Sequence, residues 1–228
     1  MIISDLNKFK INNKYINNYS VEKIYKKENN TLQKGYKKEN NNIVKEELNY
    51  SLFWCFYKII YGDFNYFINK GFKEEIKKKI KIVEEIRSKK IELKQNKIKI
   101  TNIETELINN KDITVNSLHA LSILYNINII YIYNLCYYDM IQNDDENIFL
   151  IIKKNNSYEL IKDNNKKIDY YKNNYYQITN LSKPIKAINN YSKEELLIYS
   201  KKLNIEIPNK ANKNIIYEKI KIECNKFI

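Results

Sequence analysis

The chain has 228 residues, 43% of them apolar and 13% aromatic, enough for a packed core, and this excludes a wholly disordered protein. Its net charge of +13 would ordinarily mark a binder of nucleic acid or acidic surfaces, yet Arg87 is the only arginine among its 40 basic residues. Lysine lacks the planar fork that reads base edges, so the composition argues against a sequence-specific DNA reader and leaves nonspecific phosphate attraction open.

Residues 1–44 read as a polar, low-complexity leader in which "YKKENN" occurs twice, at 25–30 and 36–41, with few apolar anchors between. The start, "MIISDLNKFKINNKYI", lacks the apolar run of a secretion signal. The excess of Asn, Lys, Ile and Tyr over glycine and proline fits a very AT-rich genome. From Ile43 the pattern tightens: Leu48, Leu52, Cys55, Phe56, Ile59 and Ile60 recur at three and four, the period of a helix, with Ser51 placed to cap it. Beyond Gly62, Phe72, Ile76, Ile80, Val83 and Ile86 form one stripe on a charged helix. Residues 70–99 hold twelve Lys/Arg against five Glu, so more than half of the net charge lies there.

A short helix, a turn at "NNKD" and a second helix with Leu118, Leu121, Ile123 and Leu124 follow. The most apolar run, 118–141, is broken by Asn126, Asn128 and Asn134 and closes on Asp139, a poor membrane span. "IIYIYNL", "NIFLIIKK", "SYELIKD" and "NYYQITNL" read as strands. Helices first and strands after is an α+β order, here a helical N-terminal half on a small antiparallel sheet. After Pro184, Ser192 and Glu195 form an S-x-x-E capping box that opens a helix with Leu196, Leu197, Tyr199 (or Ile198) and Leu203 inward. Pro208 sits in an extended connector, and Ile215, Ile216, Ile220 and Ile222 mark a last helix. The expected organisation is a leader at 1–44, a core at 45–182 and a small helix-extension-helix module at 185–228.

Cys55, Cys136 and Cys224 are odd in number and form no CxxC, which indicates neither a disulfide framework nor a zinc site. With no glycine-rich phosphate loop, one histidine and no clustered acids, no metal, nucleotide or redox cofactor is expected. These features together predict a soluble intracellular protein.

The stretches "YSLFWCFYKIIYGD" and "SLHALSILYNINIIYIY" resemble the ovarian-tumour (OTU) branch of the papain-like cysteine peptidases. There an N-C-L-F stretch opens a helix ending near a G-D pair, and an A-L-S helix leads directly into a strand. "IFLIIKKNNSYELI" falls where that family has a strand pair carrying its histidine, so the resemblance covers about residues 47–161. By the same alignment Ser51 stands at the nucleophile position and Ser157, beside Tyr158, at the histidine position. The resemblance thus implies a scaffold without its catalytic pair. Similar chains occur among uncharacterised proteins of large DNA viruses, which implies a host cytoplasm or virion location.

The alternative is an active cysteine peptidase on ubiquitin-like tails, with Cys55 as nucleophile, His119 as base and Asn116 or Asp112 as the third group. It needs a thiolate beside an imidazole. Cys55 lies among Trp54, Phe56 and Tyr57, where a buried thiol is the expectation. "SKEELLIYSKKLNIEIPNKANKNIIYEKI" resembles the SAP-like helix-extension-helix modules that bind nucleic-acid backbones. That resemblance implies phosphate contacts by Lys201, Lys202, Lys210, Lys213 and Lys219 and by amides near Asn212, with Asn209 or Asn212 left-handed where the family has glycine. The reading is therefore a non-enzymatic protein held on nucleic acid or in a nucleoprotein assembly, with no membrane partner.

Overall fold

The computed structural model describes residues 51–96, 98–144, 147–155, 157–162 and 165–227. Residues 47–228 form one compact unit. The leader at 1–44, and the expected helix turns before Ser51, lie outside the described residues.

Helix α1 (Leu52–Asn69) starts as expected: the Ser51 hydroxyl accepts from the Trp54 amide at 3.4 Å. Leu52, Phe53, Cys55, Phe56 and Tyr57 are all buried, so the first turns are surrounded by protein on nearly every side. At Gly62, φ is +80°, a value that glycine adopts without a Cβ penalty, and the helix kinks there. Helix α2 (Phe72–Ser88) follows, and its buried face differs from the expected stripe. Phe72, Ile76 and Ile80 are exposed, whereas Lys79, Ile82, Val83 and Ile86 face the core. Lys79 replaces an apolar residue because its ammonium is fully partnered. It pairs with Glu75 at 2.7 Å, donates to the Lys111 and Asn110 carbonyls at 2.9 and 3.1 Å, and lies 5.2 Å from the Phe53 ring centre.

The charged segment breaks at Lys89 into a further helix, α3 (Lys90–Gln95). Helices α4 (Ile100–Asn109) and α5 (Val115–Leu124) then form the expected pair around "NNKD". The turn is closed by Glu106, whose carboxylate accepts from both the amide and the hydroxyl of Thr114. Thr114 in turn caps α5, accepting from the Ser117 amide.

The fold is α+β, with eight α-helices and one five-stranded sheet among the described residues. Strands β1 (Asn128–Tyr133), β2 (Cys136–Met140), β3 (Ile148–Lys154), β4 (Ser157–Lys162) and β5 (Tyr176–Gln177) lie in the order β4-β3-β1-β2-β5. The sheet is mixed where an antiparallel one was expected: β1 runs parallel to β3 and β2 parallel to β5. The cause is β2, which folds back beside β1 and leaves the chain to cross the start of β1 before β3 can pair on the other side.

Asn128 secures that crossing. Its side-chain oxygen accepts from the Gln142 and Asn143 amides at 2.8 and 3.2 Å, and its NH2 donates to the Asn143 carbonyl at 3.1 Å. Asn128→Ala would strand these amides and is expected to cost about 2 kcal/mol. Urea denaturation reads the loss, and an unchanged midpoint would show that the crossing is held by other means.

Both faces of the sheet are covered. Ile129, Tyr131 and Met140 join the main helical core, while Ile130, Ile132, Tyr137 and Leu150 pack with Ile168 of helix α6 (Asn165–Asn174). A strand buried on both faces is apolar without alternation, as "IIYIY" is.

After a 3-10 turn at Ile188–Asn190, helices α7 (Lys193–Lys202) and α8 (Lys213–Asn225) form the helix-extension-helix unit. The Ser192–Glu195 capping box is present, and Tyr199 instead of Ile198 turns inward. Asn204, not Asn209 or Asn212, takes the left-handed conformation, with φ 51°. It closes α7 as the residue after the cap, letting the Ile205 amide reach the Ser200 carbonyl at 2.9 Å. Asn212 is extended because it caps α8, accepting from Ile215 at 2.9 Å. On α8 the buried residues are Ile216, Ile220 and Cys224, while Ile215 and Ile222 face solvent. The unit shares the main core: Phe227 meets Tyr131 edge-on at 5.3 Å, Tyr199 meets Tyr176 edge-on at 5.1 Å, and Cys224 is fully buried in the same core as Cys136.

Candidate functional site

Three places bear on function. The first is the N-terminal end of α1 against β4. Helix α1 packs on that edge strand. Here the Ser51 hydroxyl is used as a cap, and the Ser157 hydroxyl donates to the Lys154 carbonyl across the β3–β4 turn. Tyr158 lies near Asp112 and Cys55; burial first, then Asp112 and Cys55, push its phenol up. The Cys55 side chain is fully buried, and desolvation pushes its thiol up to about 12 against a small opposing pull from Lys58. A nucleophilic thiol needs the opposite shift.

The second place is a cleft of about 590 Å³ between α4, α5, β2 and the 179–182 loop. Asn102, Asn116, His119, Tyr138, Asn180 and Ser182 are among its walls. The His119 ring meets Tyr138 edge-on at 5.4 Å, and its Nδ1 lies 3.2 Å from the Tyr138 hydroxyl. Burial lowers the His119 pKa, which favours the neutral imidazole.

No hydrogen bond joins His119 to Cys55, nor to the hydroxyls of Thr114, Thr179 or Ser182 in the cleft. The two residues of the alternative dyad therefore lie in different surroundings. The candidate third groups divide as well, Asn116 beside His119 in the cleft and Asp112 near Tyr158. A nucleophile hydrogen-bonded to a base is the mark of covalent catalysis, and the cleft has none among the described residues. What it offers is mainly neutral hydrogen bonding from amides, hydroxyls, an imidazole and a phenol, with Lys99 and the Thr114-bound Glu106 as its charged lining residues.

The third place is the helix-extension-helix unit. Lys202 donates to the Tyr175 carbonyl at 3.2 Å and Lys219 to the Glu206 carbonyl at 2.8 Å, so both are tied to the fold. Lys201, Lys210 and Lys213 have no ion-pair or hydrogen-bond partner among the described residues. Lys210 lies two residues before the Asn212 cap of α8, and Lys213 is the first residue of that helix. Three nearby acids are engaged, Glu195 in the capping box, Glu218 with Lys221 at 3.3 Å and Glu223 with Lys226 at 2.6 Å, while Glu194 and Glu206 are exposed.

Among the described residues, no three His, Cys, Asp or Glu side chains gather as metal ligands, and no helix is long and apolar enough to cross a membrane. No family model, curated protein or solved structure matches the chain.

Sequence reasoning did not single out Asn102, Asn180 or Tyr138. Their meeting depends on β2, whose "CYYDM" carries no turn signal ahead of it, and on the packing of the 179–182 loop against α4.

Proposed function

We propose that the chain is a non-enzymatic, nucleic-acid-associated protein, built on a catalytically degenerate OTU-like scaffold with a SAP-like unit at residues 185–228. The observation that carries this reading is that Lys201, Lys210 and Lys213, on one surface unit, have no ion-pair or hydrogen-bond partner among the described residues. Unpaired lysines beside a helix start are suited to phosphate oxygens, which they attract as point charges without reading sequence. The scaffold is supported by three local agreements: a serine-capped helix packed on a strand edge, an A-L-S helix running straight into β1, and an antiparallel β3–β4 pair.

The test is salt-dependent binding to duplex DNA by the full chain. Each phosphate neutralised adds about 0.9 to the slope of log affinity against log salt. Lys210→Glu with Lys213→Glu is expected to make that slope shallower by about 2 and to weaken unrelated duplexes alike. Unaltered binding in this variant would remove the SAP-like reading.

A further inference from the structure

A second basic surface lies away from the helix-extension-helix unit. Lys90 and Lys94 on α3, with Lys99 just before α4, line a groove of about 700 Å³. One acid, Glu104, also lines it, and that carboxylate is taken by Arg87 Nε at 2.8 Å. Lys90, Lys94 and Lys99 are exposed and have no partner among the described residues. Lys90 and Lys94 stand one helical turn apart on the same face, so both can follow one charged strand.

Ile98 and Lys99 also line the His119 cleft, so the groove and the cleft lie side by side along these residues. Beside the positive charge of the groove lies a cleft of mostly neutral donors and acceptors, whose one acid, Glu106, already accepts from Thr114. An acidic peptide could meet the amides through its backbone, but it would offer the lysines charge only where its carboxylates happen to fall. A nucleotide chain uses both, since it alternates phosphates with heterocycles that carry donor and acceptor edges. A duplex turns those edges inward to its own pairs, whereas a single strand can place an unstacked base in a pocket. The cleft's volume lies within the range of about 300–1,000 Å³ typical of small-molecule pockets.

We propose that the groove and cleft together hold single-stranded nucleic acid, with phosphates on Lys90, Lys94 and Lys99 and a base in the amide-lined cleft beside Tyr138 and His119. This deepens the nucleic-acid reading above but places a contact on different residues.

The experiment is fluorescence anisotropy of a labelled oligothymidylate with the full chain across a salt series. Each phosphate contact on a single strand contributes about 0.7 to the salt slope, so Lys90→Gln, Lys94→Gln and Lys99→Gln together should flatten it by about 2. A charge-matched control, Lys73→Gln, Lys162→Gln and Lys166→Gln, should leave the slope within half a unit or so of the parent's. Asn102→Ala with Asn116→Ala changes no charge; it should weaken binding about tenfold with the slope kept. These asparagines and lysines are exposed, so the variants retain the fold, which circular dichroism checks. An equal effect of the control triple, or unchanged affinity in the asparagine variant, would overturn the proposal. Binding lost in the Lys210/Lys213 variant but intact in the groove variant would overturn it while sparing the reading it rests on. Failure of the parent chain to bind either single strands or duplex would remove both.

Discussion

Replacing Lys79 with alanine is expected to lower the unfolding free energy by about 4 kcal/mol, because one partner of a buried ion pair is removed and the other left in place. Glu75, with only 15% of its side chain exposed, would lose its ion-pair partner, and the carbonyls of Asn110 and Lys111 would lose their donor. Phe53, fully buried, would lose the cation on its ring. Lys79→Met should recover part of the loss by refilling the volume, and Lys79→Met with Glu75→Gln should recover more, since no unpaired charge remains. Guanidinium denaturation of the series measures this order. A cost for Lys79→Ala under about 1 kcal/mol would mean that water reaches the pair and that it behaves as a surface contact.

The thiol of Cys55 is expected to react with a neutral alkylating reagent on the order of a thousandfold more slowly than an ordinary cysteine at pH 7. The thiolate is the reacting species, and raising the pKa from 9.0 to about 12 lowers its population in that proportion. Burial of the side chain slows access further. Mass spectrometry of labelled peptides from the native protein reads the rate at Cys55, with the denatured protein as the reference. Rapid labelling in the native state would instead support a low-pKa nucleophile and revive the alternative peptidase reading.

Much of the architecture is written in local signals. Ser51, Thr114, Ser192 and Asn212 each carry an oxygen at the start of a helix, and each caps one. Strands β1 and β3 follow from apolar, isoleucine-rich runs, and β4 from the alternation in "SYELIK". Two classes of residue resist such reading. One is the amphipathic lysine: Lys79 sits on the same helix as the exposed Phe72 and Ile76, and only long-range partners decide which of them turns inward. The other is the turn without glycine. Asn134 and Leu135 both adopt positive φ, 47° and 59°, to make the two-residue β1–β2 hairpin, and a leucine in that position gives no sequence cue. Missing that turn hides β2, and with β2 hidden the parallel pairing and the wall holding Tyr138 are hidden too. Helix α6, in "NKKIDYYKNN", was equally obscured, since Ile168 is its one fully committed apolar anchor.

The edge-on contact of Phe227 with Tyr131 sets a schedule for the chain's biogenesis. Tyr131 sits on the central strand, and its helical side is completed by residues almost a hundred positions further on, among them Ile216, Ile220 and Cys224. A domain emerging from the ribosome generally folds as a unit, so here the central strand must wait, with its aromatic face uncovered, until α8 has been synthesised. During that interval the β1 and β3 segments keep their apolar side chains unburied and their backbones open to pairing with other chains. Holdase chaperones that recognise aromatic-rich extended segments therefore have their natural window on this protein between the synthesis of β4 and that of α8.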